Sequence, residues 1–183
     1  MEIFSIVVPI YNEELNVQDL VEEIFKSIVK IKVGFQLIII DDASIDNTFK
    51  VISLLKKKYP FIYKKNKSNR GQSYSIREGI KISKFNTIVT LDGDGQNNPN
   101  NIIDLLNVYG ENNKYQLVAG IRSKRKDSFL KIISSKIANK VRSYILGDHC
   151  TDTGCSLKVF NKKKFLELPY FDAIHRFIPS LFE

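Results

Sequence analysis

The 183-residue chain is 43% hydrophobic and 11% aromatic, enough to bury a substantial core in one domain and too apolar for a disordered segment. Its formal net charge of +8 and pI near 9.4 come chiefly from lysine, 22 Lys against 6 Arg. That balance suits anionic partners such as nucleotides, lipid phosphates or nucleic acid, and equally a solvated basic surface. Cys150 and Cys155 form no CxxC pair, and with only His149 and His175 they make a poor zinc set, so they read as reduced thiols of a cytosolic protein. The first apolar run, residues 3–10, follows no basic segment, contains Pro9 and is too short to cross a bilayer; a soluble or peripheral protein is expected.

Taken in order, residues 3–10 form a β-branched apolar run of the kind buried on both faces of a sheet, with Pro9 near its end. From residue 15 to 31 apolar side chains recur at helical spacing, at Leu15, Leu20, Val21, Ile24, Phe25, Ile28 and Ile31. Residues 35–40 are a second buried strand closing on Asp41 and Asp42. Ser44 or Asp46 can then cap a helix running to Tyr59, with Phe49, Ile52 and Leu55 inward and Pro60 as its stop. Residues 61–63 predict a short strand leading into a basic loop, Gly71 opens a helix carrying Tyr74, Ile76 and Ile80, and residues 86–91 predict another strand.

That strand runs into Thr90-Leu91-Asp92-Gly93-Asp94-Gly95-Gln96. Two carboxylates one residue apart, interleaved with glycine and followed by a neutral amide, are hard donors for Mg²⁺ or Mn²⁺, whose shells are commonly completed by phosphate oxygens. Asp and Gly are also ordinary turn residues, and the loop alone leaves both readings open. Beyond it the spacing predicts a helix from Pro99 to Tyr109, a strand over 115–121, a basic amphipathic helix over 129–146 suited to an anionic membrane or to the core, a short strand over 157–160 and a helical tail over 165–183. Alternation of strand and helix argues for a mostly parallel α/β sheet flanked by helices. The clusters at Asn12-Glu13, Asp41-Asp42 and Asp92-Asp94 then share the carboxyl edge, where such sheets bind ligands.

With these segments in place the sequence resembles the family 2 glycosyltransferases of the GT-A fold, with a Rossmann-like N-terminal half, and within them the polyprenyl-phosphate sugar transferases. The resemblance rests on residues 8–16, 40–48, Asn69-Arg70-Gly71 with Gly79, residues 91–96, Gly120-Ile121-Arg122 and Asp152-Thr153-Gly154, in family order. It implies a metal-dependent enzyme that moves a sugar from a GDP- or UDP-linked donor to dolichyl or undecaprenyl phosphate, at the cytoplasmic face of a membrane and without a nucleic-acid partner.

In that pattern Pro9, Tyr11 and Glu13 cradle the nucleotide with Gly93, and Asp41 and Asp42 face its base or ribose. Asp92, Asp94 and Gln96 hold Mg²⁺ or Mn²⁺ against the diphosphate. Arg122, Lys131 and Ser135 face the acceptor phosphate, with Lys131 standing where an arginine is usual, so that a bidentate clamp becomes a point charge. An anionic phosphate needs no general base; for a hydroxyl acceptor Asp152 is the candidate. One domain over residues 1–183 is expected, with a donor half over 3–122 and an incomplete acceptor-side half over 123–183, since family members usually continue beyond such a point.

Other readings fit less well. A haloacid-dehalogenase-type phosphatase places its Asp-x-Asp on the first strand, and an EF-hand would want Gly at Asn97 and Glu at Ile103. Neither GxGxxG nor GxxxxGK[ST] occurs, and residues 9–14 lack the Gly-rich loop of sugar nucleotidyltransferases. A nonenzymatic nucleotide-sugar-binding module is the principal alternative.

Overall fold

The computed structural model describes residues 3–29, 33–111, 115–121 and 152–182. They form a six-stranded sheet built from β1 (Phe4–Ile10), β2 (Phe35–Asp41), β3 (Ile62–Lys65), β4 (Thr87–Thr90), β5 (Leu117–Ala119) and β6 (Lys158–Asn161), in the order β3-β2-β1-β4-β6-β5. The β1/β2, β2/β3 and β1/β4 pairings are parallel, whereas β6 runs antiparallel to both β4 and β5. The predicted strand over 61–63 lies one to two residues later, at β3.

β1 is buried at all seven positions because it lies between β2 and β4. Pro9 is tolerated there because the β1/β4 register ends at Val7 opposite Thr90, so no β4 ladder bond is asked of it. Period-two alternation sends Phe4, Ile6, Val8 and Ile10 to one face, against α1 (Val17–Ile28), α2 (Thr48–Leu55) and α4 (Asn101–Gly110). Val7, Ile38 and Ile40 point to the other face, against α3 (Gln72–Ile82), α5 (Lys162–Glu167) and α6 (Ile178–Leu181). α3 lies so close to the sheet that a Cβ on Gly79 would collide with the Val7 and Ile40 side chains.

Several expectations are corrected. Leu15 precedes α1 and is 84% exposed, because the chain forms a turn before the helix begins. Phe49 is 55% exposed rather than inward; its ring lies 6.0 Å from that of Tyr63, across the edge of the sheet. α2 ends at Leu55, four residues short of Tyr59. Its first turn is held by Asp46, whose Oδ1 accepts the Thr48 N–H at 3.0 Å and the Thr48 hydroxyl at 2.5 Å, although Asn47 occupies the capping position. The tail is not one helix: α5 stops at Glu167, and a 3-10 turn at Ile174–Arg176 leads into α6. The basic segment 129–146 lies outside the described residues.

Candidate active site

Because β1, β2 and β4 are parallel neighbours, the loops that follow them leave the same edge of the sheet. The first two are knitted into one piece. The Asn12 N–H donates to Ser44 Oγ at 2.9 Å, the Glu13 N–H to Thr48 Oγ1 at 2.8 Å, and the Ile45 and Asn47 N–H groups to the side chains of Asn12 and Glu14, each at 2.9 Å. Asn12 and Ala43 adopt left-handed backbone, with φ of 56° and 67°, a cost that this mesh of bonds holds in place.

Between these loops and the one after β4 opens a cavity of about 190 Å³, lined by Pro9, Ile10, Tyr11, Glu13, Asp42, Gln72, Asp92, Gly93 and Asp94. Seven of the residues named from the sequence thus share one cleft. Asp41 does not line it: fully buried, it accepts the Ser44 N–H through Oδ1 and the Tyr63 hydroxyl through Oδ2, both at 2.7 Å. Burial, together with that bond and the Asp41 charge, pushes the Tyr63 phenol well above its ordinary value. Gln96 is exposed and also outside the lining; its N–H donates to Asp94 Oδ1 at 3.0 Å. Asp152 is buried on the turn before β6 and does not line the cleft either. Arg122, Lys131 and Ser135 lie outside the described residues.

Asp42 borders the cleft while bracing its wall. Oδ1 accepts the Asn66 side-chain amide at 2.7 Å and the Arg70 N–H at 2.9 Å, and Oδ2 accepts the Gly71 N–H at 2.7 Å. One carboxylate therefore pins the entry to α3. The acidic loop is braced from the other side by Ser156, whose Oγ accepts the Asp92 N–H at 3.0 Å and the Asn97 side-chain amide at 2.8 Å. Glycine is required at 93 because a Cβ there would fall 2.6 Å from Ile10 Cγ2 and 3.0 Å from the Pro9 carbonyl; the loop lies directly on the end of β1.

Two residues make contacts that the sequence did not reveal: Gln72, which it did not single out, and His175, to which it gave no role. Gln72, the first residue of α3, donates from Nε2 to Asp92 Oδ1 at 2.5 Å. The available signal was its place immediately after Arg70-Gly71, at a helix start facing an acidic edge. His175 bonds the Ser73 hydroxyl through Nδ1 at 2.6 Å and ties the chain's last described segment to α3.

The cleft concentrates negative charge. Burial pushes the Glu13 carboxyl above its ordinary value; the Asn16 side-chain bond opposes this, and the Asp94 and Asp46 carboxylates reinforce it. The donors are hard oxygens, which suit Mg²⁺ or Mn²⁺ rather than a soft metal. Among the described residues no group of three or more His, Cys, Asp or Glu side chains gathers as a self-sufficient metal cage. The arrangement fits an ion held by one or two carboxylates and completed by a ligand's phosphates.

Comparison with known proteins gives the chain's family and fold. Along 96% of its length the chain is 34% identical to the dodecaprenyl-phosphate galacturonate synthase of Rhizobium johnstonii, covering 53% of that protein. Along 88% it is 28% identical to the undecaprenyl-phosphate 4-deoxy-4-formamido-L-arabinose transferase of Aeromonas hydrophila, covering 50%. The chain therefore spans about half the length of the curated relatives it matches. Its fold is that of GT-A glycosyltransferases: the mannosyltransferase PcManGT of Pyrobaculum calidifontis, solved with GDP-Man and Mn²⁺, superposes with a TM-score of 0.66 at 14% identity, over 92% of this chain and 47% of that one. The glycosyl transferase family 2 model matches residues 5–168, a span that runs from β1 through all three cleft loops to α5, and the chain belongs to that family.

Proposed function

We propose that this domain binds a nucleoside diphosphate sugar with a divalent cation and, in the protein to which it belongs, transfers the sugar to a polyprenyl phosphate at the cytoplasmic face of a membrane. The observation that carries the reading is the convergence of Pro9, Tyr11, Glu13, Asp42, Asp92, Gly93 and Asp94 on one cleft at the carboxyl edge of a family 2 fold. In this reading Pro9, Tyr11, Glu13 and Asp42 surround the nucleoside, while Asp41 is buried outside the cleft, bonded to Ser44 and Tyr63. Asp92 and Asp94, with Gln96 beside them, hold Mg²⁺ or Mn²⁺. When bound, that cation neutralises charge on the departing diphosphate.

An acceptor phosphate oxygen attacks the anomeric carbon as the bond from that carbon to the diphosphate oxygen breaks. The phosphate is anionic at neutral pH, so the protein's task is positioning rather than proton removal. Arg122, Lys131 and Ser135 are assigned to the acceptor phosphate, and Asp152 is held for a hydroxyl acceptor. Residues 3–122 form the donor half and 123–183 begin the acceptor side, although β6, from the later stretch, closes the sheet beside β4. Among the described residues no helix is long and apolar enough to cross a membrane, and membrane contact is assigned to peripheral binding.

Calorimetry of the chain with UDP- and GDP-sugars, with and without Mn²⁺, tests the donor site: metal-dependent binding is expected, and binding indifferent to metal, or none, sinks the reading. The half-length match favours a second reading, a nucleotide-sugar-binding module. Sugar transfer to undecaprenyl phosphate by the longest available gene product separates the two.

A further inference from the structure

The loop after β4 is tied to α3 by a residue to which neither the sequence pattern nor the family comparison assigns a role. Gln72 lines the cleft, and its amide reaches from α3 to the loop after β4, where it donates to Asp92 Oδ1 at 2.5 Å. A long side chain loses rotamer entropy when held in one geometry, yet here the backbone on both sides is anchored independently. Before it, Asp42 accepts the N–H groups of Arg70 and Gly71. After it, Ser73 Oγ bonds His175 Nδ1 at 2.6 Å and accepts the His175 N–H at 3.3 Å. Asp92 is anchored as well, its own N–H donating to Ser156 Oγ. Donor and acceptor are therefore presented to each other by two fixed backbones. A neutral amide orients a carboxylate without cancelling its charge, whereas a lysine or arginine at the same place would compete with a cation for it.

We propose that Gln72 is a positioning residue, which sets the Asp92 carboxylate in the orientation that receives a metal-bound nucleoside diphosphate. The proposal rests on the donor-site reading above and adds a residue that acts through Asp92. Loss of a partner that orients a metal-binding carboxylate typically weakens metal affinity about 10- to 100-fold.

Gln72→Met keeps the length and removes the donor. Calorimetry with Mn²⁺ and UDP or GDP is expected to show affinity lowered at least about tenfold, with metal-free nucleotide binding and the ligand-free melting temperature unchanged. Equal metal-dependent affinity in the variant overturns the proposal. So does a loss matched by lowered metal-free affinity and a lowered melting temperature, because that is the signature of a merely structural role. A second measurement requires neither ligand nor that variant. In the ligand-free protein the Gln72 side-chain amide resonances should shift in Asp92→Asn, and their indifference overturns the link. Wild-type protein that binds no metal–nucleotide brings down the donor-site reading and this proposal together; wild type that binds alongside an unaffected Gln72→Met brings down the proposal alone.

Discussion

Asp92 and Asp94 were legible from the sequence as cleft residues because their loop, which alone also reads as a turn, is one of three acidic strand ends at the same sheet edge. Asp41 and Asp42 were not separable there, and the structure divides their work: Asp41 spends both oxygens on Ser44 and Tyr63, while Asp42 borders the cleft and holds Asn66, Arg70 and Gly71. Asp94→Ala should abolish metal-dependent nucleotide binding while leaving the circular dichroism and melting temperature intact. Unaltered affinity would remove Asp94 from the metal site. Asp42→Ala strips a buried acceptor from three donors, and charged hydrogen bonds of this kind contribute about 1.5–3 kcal/mol each in favourable cases. Because the freed donors can partly turn to water, a net loss of roughly 2–4 kcal/mol in a urea titration is expected. A loss below about 1 kcal/mol would mean that the wall of the cleft does not depend on this carboxylate.

At the scale of elements, β1 and α3 show how closely sequence pattern and packing agree, and where pattern stops. The continuous apolar run of β1 predicts burial on both faces, and every residue of the strand is buried. In α3 the periodicity predicts Ile76 and Ile80 as the inward face but says nothing of distance, and Gly79 carries that information: its missing Cβ lets the helix lie against Val7 and Ile40. Gly79→Ala should cost about 1–3 kcal/mol through overpacking, against a small gain in helix propensity. The check is thermal or urea unfolding, and a neutral or stabilising result would show that α3 can lift off the sheet without penalty. The same displacement would move Gln72, so nucleotide affinity should fall together with stability. Phe49 and Leu15 mark the limit of periodicity. Both fit a helical stripe, yet Leu15 precedes its helix and Phe49 lies where α2 passes the sheet edge, leaving each exposed.

Across the molecule, the chain's last described segment is bound to α3 through His175 and Ser73. Burial pulls the His175 imidazole down to about 4, and the charges of Arg176 and Lys158 add to the shift. This histidine is neutral in both folded and unfolded protein above pH 6.5. Between pH 6.5 and about 4 the unfolded chain takes up a proton that the folded protein refuses, so stability falls as pH falls through that window. After allowance for solvent screening the loss is on the order of 1–2 kcal/mol. Asp46 and Glu78, whose carboxyls are held below their ordinary values of 3.8 and 4.5, contribute a further decline below those values, where the unfolded chain takes up protons that the folded protein still refuses. Urea midpoints measured from pH 7 to pH 4 should decline in wild type and flatten in His175→Gln; parallel curves would assign the decline elsewhere. Strand content, the alternation of strand and helix and the three acidic strand ends were all determined by the sequence itself, because apolar periodicity and turn chemistry are local properties that survive being read one residue at a time. The antiparallel insertion of β6 between β4 and β5, the separation of Asp41 from the cleft, and the reach of Gln72 to Asp92 were decided only by the tertiary structure. Each depends on a contact between residues 20 or more positions apart, or on which neighbour occupies a carboxylate first, and no local pattern encodes that.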